Sequence, residues 1–275
     1  MKKSMLSLLA LGALLGAGAG SAFAAPDWSK AAKREITVFH PGTAAYEWVT
    51  KKSDHSGTAG LKKGETCAGC HEEKVGLNFN FKRLADKELE PAGAPKTMSY
   101  PVTVQAAYDA SNLYIRLSFK PPKGGANQGD KTNEVKATML FPDDKVPMAA
   151  QVGCWASCHN DARTMPGADD KKTKYVKDGS YQLMQWASGK GAKVADGTVT
   201  TERKMDGGSL GAKAEGSKSG DAYTVTFTRK NPGEGKVVPF GFAIHADNAA
   251  GRFHHVSLGY TIGIGADGDL KATKQ

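Results

Sequence analysis

The sequence predicts a mainly β protein: an antiparallel β-sandwich preceded by an N-terminal segment of loops and short helices. From Tyr100 onward, apolar side chains alternate with polar ones at a period of two, which is typical of strands with one buried face. From Ala25 to about Pro95 this alternation is largely missing. Since several alternating runs are joined by turns, two packed antiparallel sheets are the expected architecture.

The first 25 residues have the features of a secretory signal peptide. Lys2 and Lys3 precede an apolar run over residues 5–18, and small residues follow, so we expect cleavage after Ala24 or Ala25. The apolar run is shorter than the roughly 20 residues that a membrane-spanning helix needs. We therefore predict an exported mature chain without a transmembrane helix, which in a bacterium means a periplasmic protein.

The remaining chain, about 250 residues, can form one large domain or a medium domain with an appendage. Loss of Lys2 and Lys3 lowers the net charge from +9 to +7. A positive surface favours fast, salt-sensitive encounters with acidic partners. It does not indicate a nucleic-acid partner, because the lysines are scattered and the protein is exported.

The elements follow in order along the chain. Before residue 95 there is a short apolar run at 36–39, an aromatic segment at 46–49 and a loop at 53–57. Alternation then predicts a hairpin over 102–119 and further strands at 135–141, 223–227, 240–244 and 256–262. We expect a short helix within 175–187 and an exposed Gly- and Lys-rich stretch over 189–218.

The run Cys67-Ala68-Gly69-Cys70-His71 has the C-x-x-C-H spacing of a covalent attachment site for c-type haem. The two thiols add across the vinyl groups of the porphyrin, and the histidine that follows binds the iron from one side. Each motif residue therefore has a role, with Cys67 and Cys70 as attachment points and His71 as the proximal ligand.

A second run, Cys154-Trp155-Ala156-Ser157-Cys158-His159, separates its thiols by three residues instead of two. The two runs use all four cysteines. Four cysteines in an exported protein usually suggest disulfides, but neither pair would then need a following histidine. We predict a second haem c on Cys154 and Cys158 with His159 as ligand, and a disulfide or a zinc site remains the alternative there.

The sixth position on each iron decides between electron carrier and catalyst, since a vacancy permits binding while a second strong ligand does not. His55, twelve residues before Cys67, is the first candidate for the first haem, and His40 is the second candidate. For the second haem the candidates are His254, which shares the parity of the apolar side chains in the last strand, the neighbouring His255, and two methionines. These methionines are Met148 and Met165, and either is otherwise core filler. His245 is interpreted as structural.

These residues together resemble the exported dihaem c-type cytochromes that carry an ethylbenzene dehydrogenase-related haem-binding domain. The resemblance runs from about Ile36 to Ile264 and is most specific over 154–166. It implies an immunoglobulin-like β-sandwich similar to the gamma subunit of ethylbenzene dehydrogenase, which holds a b-type haem between a methionine and a lysine. By position Met148 resembles that methionine, and His254 or His255 falls near the lysine, so the family's ligand pair does not transfer directly.

We accordingly divide the chain into a signal peptide (1–25), an N-terminal haem c segment (26–97) and a β-sandwich carrying the second haem c (98–275). The expected function is electron transfer between a membrane quinol dehydrogenase, or another donor, and a periplasmic redox enzyme, possible partners including a molybdenum enzyme. Acidic docking surfaces on the partners would match the positive charge. The alternative is a haem enzyme, such as a peroxidase or small-oxyanion reductase, or a ligand sensor with one open iron.

Overall fold

The computed structural model describes residues 25–42, 49–53, 55–72, 77–86, 91–125, 127–157, 175–176 and 178–275. These residues form a mainly β structure with a few short helices, which confirms the predicted β-sandwich-like fold class. The predicted signal peptide, apart from its last residue, and Cys158, His159 and Met165 lie outside the described residues. Within the described ranges, every helix is too short or too polar to cross a membrane.

Four α-helices are described: α1 Thr58–Lys62, α2 Cys67–His71, α3 Phe81–Ala85 and α4 Ala149–Ser157; a 3-10 turn spans Pro91–Gly93. The first strands in chain order are β1 Arg34–Phe39, β2 Ser99–Tyr108, β3 Asn112–Phe119, β4 Lys136–Pro142, β5 Tyr181–Ala187 and β6 Ala195–Val199. They are followed by β7 Arg203–Lys204, β8 Lys213–Ser219, β9 Ala222–Lys230, β10 Lys236–His245, β11 His255–Val256, β12 Tyr260–Ile264 and β13 Leu270–Lys274.

The described strands are joined in the order β7-β6-β5-β4-β10-β11-β1-β2-β3-β9-β8. The strands form two layers, and β10 belongs to both. Its residues 236–240 pair with β12 in one layer, and its residues 241–245 pair with β4 in the other. Nearly all pairs are antiparallel, as predicted. Strand β13 differs, since it runs parallel to both β12 and β2 and so joins the second layer back to the first.

The strands predicted by alternation are all present, but several other elements differ from the predictions. Residues 34–39, assigned to loops and short helices, form β1 in the middle of the sheet between β2 and β11. The prediction of a short helix within 175–187 is wrong, because residues 181–187 form β5. The stretch 189–218 contains β6, β7 and most of β8, and the predicted last strand is broken into β11 and β12.

One large apolar core lies between the layers, and the cysteine-containing segment packs onto it. The core includes side chains fully buried in the strands, such as Ile36, Leu117 and Phe242, together with Cys67 of α2 and Trp155 of α4. Helices α2 and α4, which carry the two cysteine motifs, also contact each other. The sheet core therefore brings the first motif and the described start of the second to the same region of the molecule.

Helix α4 lies against the strand ends through a close contact between two glycine backbones. Gly153 has φ of +70°, a left-handed conformation that glycine adopts readily. A Cβ atom there would lie less than 3.0 Å from backbone atoms of Leu258 and Gly259. The glycine is therefore required both by its own dihedral angles and by the closeness of the segment that leads into β12.

Replacing Gly153 by alanine is expected to lower the free energy of unfolding by about 2–4 kcal/mol, the sum of a left-handed backbone penalty and a steric overlap with rigid backbone. Gly191 is the matched control, since its φ is +74° and nothing lies within 4 Å of its would-be Cβ. Gly191→Ala should therefore cost only the backbone term, about 1–2 kcal/mol. Denaturant titration of both variants measures the difference; equal costs would contradict the close contact.

Candidate functional site

Helix α2 presents the first cysteine motif on one face. Thr66 caps its N-terminus, where the side-chain oxygen accepts a hydrogen bond from the Gly69 backbone N–H (3.0 Å). Positions i, i+3 and i+4 of a helix lie on the same side, so both thiols and the imidazole of His71 project together. The two thiols are not joined by a disulfide. Cys67 is buried, which raises the pKa of its thiol to about 12, while Cys70 is exposed.

His55 is held in a loop just before α1. Its Nδ1 donates to the carbonyl oxygen of Val49 (3.0 Å), and the same carbonyl accepts from the hydroxyl of Thr58 (3.0 Å). Because Nδ1 carries the proton, the lone pair of this imidazole is on Nε2. This is the nitrogen through which a histidine with an anchored Nδ1 binds a metal.

The imidazole of His71 is also anchored through its Nδ1 atom. Its Nδ1 donates to the side-chain oxygen of Asn78 (2.8 Å), which fixes the ring and again leaves Nε2 as the ligating atom. Burial lowers the pKa of His71, against the opposite effect of the Asn78 hydrogen bond, and the nearby His55 lowers it further. The neutral imidazole is the form that binds a metal ion.

The ring centroids of His55 and His71 lie 6.3 Å apart, and the ring planes are inclined by 25°. Two imidazoles bound to opposite sides of one metal ion at metal–nitrogen distances of about 2 Å have centroids about 6 Å apart. The pair therefore has the separation needed to hold an iron between the two Nε2 atoms. The geometry fits a haem whose iron has histidine on both faces.

The space around this pair consists of a main cavity, called the first cavity, and a smaller side cavity. The first cavity, about 260 Å³, has a largely apolar wall, and its lining includes Phe39, Val49, His55, Cys67, His71, Phe79 and Trp155. A neighbouring cavity of about 210 Å³ shares His55, Cys67 and His71 with it and adds Cys70 and Leu61. The space thus extends to both sides of the imidazole pair and reaches both thiols, as a flat macrocycle attached through two thioethers requires.

Helix α4 carries the beginning of the second cysteine motif. Gln151 ties this helix to the first motif's segment, because its side-chain N–H group donates to the carbonyl oxygens of Leu61 (2.6 Å) and Glu65 (3.1 Å). The backbone of Cys154 lies within α4, whereas Cys158 and His159 lie outside the described residues.

A separate cavity of about 250 Å³, called the second cavity, opens beside α4 between β4, β5 and β10. Its wall is partly apolar, with residues such as Leu140, Leu183 and Val256, and it also contains two histidines and two arginines: His245, His254, Arg203 and Arg252. Trp155 of α4 lines this cavity as well as the first.

His245 has a nitrogen atom that the described residues leave without a partner. Its Nε2 donates to the carbonyl oxygen of Gly251 (2.9 Å), so Nδ1 carries the lone pair, and this atom is buried with no hydrogen bond among the described residues. Burial lowers the pKa of His245 to about 4. Buried polar atoms are nearly always paired, so an unpaired one in a cavity wall fits a bound group that the chain itself does not contain.

The structure separates the histidines proposed as distal ligands. His55 faces His71, whereas His40 lies outside the first cavity and donates through Nδ1 to the carbonyl oxygen of His254 (3.2 Å). His254 lines the second cavity, as its shared parity with Val256 suggested. His255 was expected on the polar side, but it is 2% exposed, donates to the Thr97 carbonyl oxygen (2.7 Å) and packs edge-on against Tyr100.

Met148 is half-buried against the main core and is not among the described residues that line either cavity. It adopts a left-handed backbone conformation with φ of 56° directly before α4, and its carbonyl oxygen accepts from the backbone N–H of Val152 (2.9 Å). Its backbone therefore has an evident role at the start of α4.

Sequence reasoning assigned no role to Asn78 or Trp155 and treated His245 as structural. Asn78 is followed by Phe79, whose ring meets His71 edge-on with centroids 4.5 Å apart. The three residues carry no sequence signal beyond their type: Asn78 and His245 bond to residues seven and six positions away, and Trp155 packs against the distant Phe39. Only the position of Trp155 inside the second motif could have drawn attention to it.

An ion pair fastens the loop that carries His254. Asp130 and Lys136 approach to 2.5 Å, and each side chain is 15% exposed. Lys136 also donates to the carbonyl oxygen of Ala249 (3.3 Å), while Asn248 donates to the carbonyl oxygen of Asp130 (2.8 Å). The pair thus links the segment before β4 to the loop between β10 and β11.

Replacing Asp130 by asparagine is expected to lower the free energy of unfolding at pH 7 by about 1–3 kcal/mol, the usual worth of hydrogen bonds to a charged group. Burial alone would raise the pKa of Asp130, but hydrogen bonds from Lys136 and Asn133 outweigh it and depress the pKa. A depressed carboxyl pKa contributes stability above the unfolded value, about 3.9, and this is lost as the pH falls further. The difference in unfolding free energy between the two proteins, measured by denaturant titration, should therefore be full above about pH 4 and shrink progressively as the pH falls below it; a constant difference would contradict the assignment.

Two thiols and a histidine on one helix, facing a second histidine across an apolar cavity beside a β-sandwich-like core, define a c-type cytochrome. The chain belongs to the ethylbenzene dehydrogenase family, whose model matches residues 25–234. This confirms the resemblance inferred from the motifs: a c-type cytochrome with an ethylbenzene dehydrogenase-related domain.

Two relatives with assigned names are similar over nearly their whole length. Cytochrome c-552 from Stutzerimonas stutzeri is 49% identical over 294 aligned positions, covering 100% of both chains. Cytochrome c-551 from Rhodocyclus tenuis is 49% identical over 255 positions, covering 91% of this chain and 100% of the relative. Among solved structures, a family 9 carbohydrate-binding module from Caldicellulosiruptor kristjanssonii in complex with glucose is 15% identical over 57% of this chain and 65% of its own, with a TM-score of 0.29. A similarity this low carries no argument.

Proposed function

We propose that the chain is a periplasmic dihaem c-type cytochrome that passes single electrons between a membrane quinol dehydrogenase, or another donor, and a periplasmic redox enzyme. The observation that carries this proposal is the facing pair His55 and His71, whose Nε2 atoms are directed by hydrogen bonds on Nδ1. An iron with a strong ligand on both faces offers no position for a substrate and exchanges electrons instead. The cytochrome names of the relatives agree with this function.

The first haem would be attached through Cys67 and Cys70 and held between His71 and His55. When bound, haem supplies a one-electron couple between ferric and ferrous iron. The protein keeps both imidazoles oriented by Val49 and Asn78 and surrounds them with an apolar wall that limits water. His55 and His71, both anchored through Nδ1, would keep the same positions in either oxidation state of a bound haem.

The second haem would be attached through Cys154 and Cys158, with His159 as proximal ligand and His254 as distal ligand. The support is the second cavity beside α4, where His254 lies in the wall and Arg203 and Arg252 provide positive charge. Arginines are well suited to pair with the carboxylates at the edge of a haem. The unpaired Nδ1 of His245 in the same wall agrees with a bound group.

The partners we propose are redox proteins with acidic docking surfaces, a membrane quinol dehydrogenase or a molybdenum enzyme among them. The support is the excess of basic residues, 37 Lys and Arg against 28 Asp and Glu in the whole chain. Complementary charge accelerates transient encounters and makes them sensitive to salt.

Addition of carbon monoxide to the dithionite-reduced holoprotein tests the carrier function. Carbon monoxide binds ferrous haem only at an open or weakly held sixth position. If both haems are held by two histidines, the visible spectrum should stay that of low-spin c-type haem after addition. Ready binding to one haem would contradict the carrier function for that haem and favour an enzyme or a sensor.

A further inference from the structure

Trp155 lies between the two proposed haem sites. It is contributed by the second motif, is 7% exposed, and lines both the first and the second cavity. The same residue therefore borders both cavities, and its ring contacts show which other residues it reaches.

A series of edge-on aromatic contacts leads from this indole to the first haem's ligand. Trp155 meets Phe39 with ring centroids 5.4 Å apart, and Phe39 meets Phe79 at 4.5 Å. Phe79 in turn meets His71 at 4.5 Å. These contacts are of the favourable edge-to-face kind. The second cavity is therefore joined to the proximal histidine of the first by continuously packed aromatic rings.

The indole N–H of Trp155 has no acceptor among the described residues, although the atom is fully buried. A buried tryptophan N–H usually finds a partner, and leaving one unpaired costs about 1–3 kcal/mol. Phenylalanine would fill the same space without that cost. The acceptor therefore lies outside the described residues, and the acceptors that a haem offers at its edge are its two propionate carboxylates.

We propose that Trp155 couples the two haem sites: its indole ring is their shared wall, and its N–H donates a hydrogen bond to a haem propionate. This inference rests on the proposed dihaem function. In the coupled step one ferrous haem is oxidised as the other, ferric, haem is reduced, so electrons balance within the molecule. Trp155 stays chemically unchanged and acts as a positioning residue that keeps the gap between the sites filled.

Two substitutions separate the roles of ring and N–H. Trp155→Phe keeps an aromatic ring and removes the donor. The equilibrium constant for reduction of one haem should therefore fall threefold to tenfold, a shift in its reduction potential of about −30 to −60 mV for a one-electron couple. The sign follows because the N–H offsets the negative charge of a propionate, which otherwise favours ferric iron. Trp155→Leu removes both features and should in addition slow electron equilibration between the haems at least tenfold.

The potentials are measured by spectroelectrochemical titration, and the equilibration rate by pulse radiolysis of the holoprotein. Ultraviolet resonance Raman difference spectra between wild type and Trp155→Phe report directly whether this N–H is hydrogen-bonded. Trp186→Phe is the matched control, since Trp186 packs against Tyr223 and lines neither cavity; it should leave potentials and rate unchanged.

Unchanged potentials in Trp155→Phe together with a Raman signature of a free N–H would overturn the hydrogen bond, and an unchanged rate in Trp155→Leu would overturn the coupling. The haem content of each variant is measured in parallel. A wild-type protein with one haem removes the dihaem function itself, whereas two haems with unaltered Trp155 variants remove only this inference.

Discussion

Replacing His55 by alanine is expected to convert the first haem from low-spin to high-spin and to make it bind carbon monoxide. His55 is the side chain whose ring faces His71 at 6.3 Å, and its removal takes away the second strong ligand of that iron. The expected change is large, since one of the two haems should become fully reactive. Visible spectra of the reduced variant, with and without carbon monoxide, measure it.

His40→Ala is the matched control for this experiment. His40 was the other sequence candidate for the same iron, but it lies outside the first cavity and bonds to the backbone of His254. Its removal should leave both haems low-spin and insensitive to carbon monoxide. The reverse pattern, an unreactive His55 variant and a reactive His40 variant, would show that the ligand pair is wrongly assigned.

Replacing His254 by alanine is expected to make the second haem high-spin and able to bind carbon monoxide, while the first haem stays low-spin and unreactive. His254 lies in the wall of the second cavity, half-buried, near the arginines that suit haem carboxylates. The variant should bind one equivalent of carbon monoxide per chain. Combining it with His55→Ala should raise this to two, because the two irons have separate ligands.

Two controls distinguish this ligand from its sequence neighbours. His255→Ala removes a buried imidazole that bonds to Thr97 and should lower the thermal stability without opening either haem. Met148→Leu keeps a side chain of similar size at the start of α4 and should change neither spectrum nor reactivity. Carbon monoxide binding to the Met148 variant, with an unreactive His254 variant, would identify the methionine as the ligand instead.

The strands that the sequence revealed are those whose apolar residues alternate with more polar ones. In β9 this alternation matches burial, since Tyr223, Val225 and Phe227 are buried between half-buried neighbours. Strand β8 is an edge strand whose side chains are nearly all exposed, so no alternation marks it. Strand β5 buries the adjacent Leu183 and Met184, which removes the period of two and led to the helix prediction.

At the site, the sequence predicted what lies close along the chain or within a motif. The attachment residues follow from spacing, and His55 was found because a loop twelve residues upstream can fold over the haem. Asn78, which orients His71, is only seven residues away but belongs to no motif, whereas the contact of Trp155 with Phe39 joins segments that only the folded chain brings together. The parity that favoured His254 over His255 agrees with the second cavity, which His254 lines and His255 does not.

The most direct test of the dihaem account is the intact mass of the purified, exported protein under denaturing, reducing conditions, which leave thioether-bound haem in place. The account predicts the mass of the chain after cleavage at Ala24 or Ala25 plus two haems, and loss of one haem in a Cys154→Ser, Cys158→Ser double variant. A wild-type mass with a single haem, and free thiols at Cys154 and Cys158 after reduction, would contradict it.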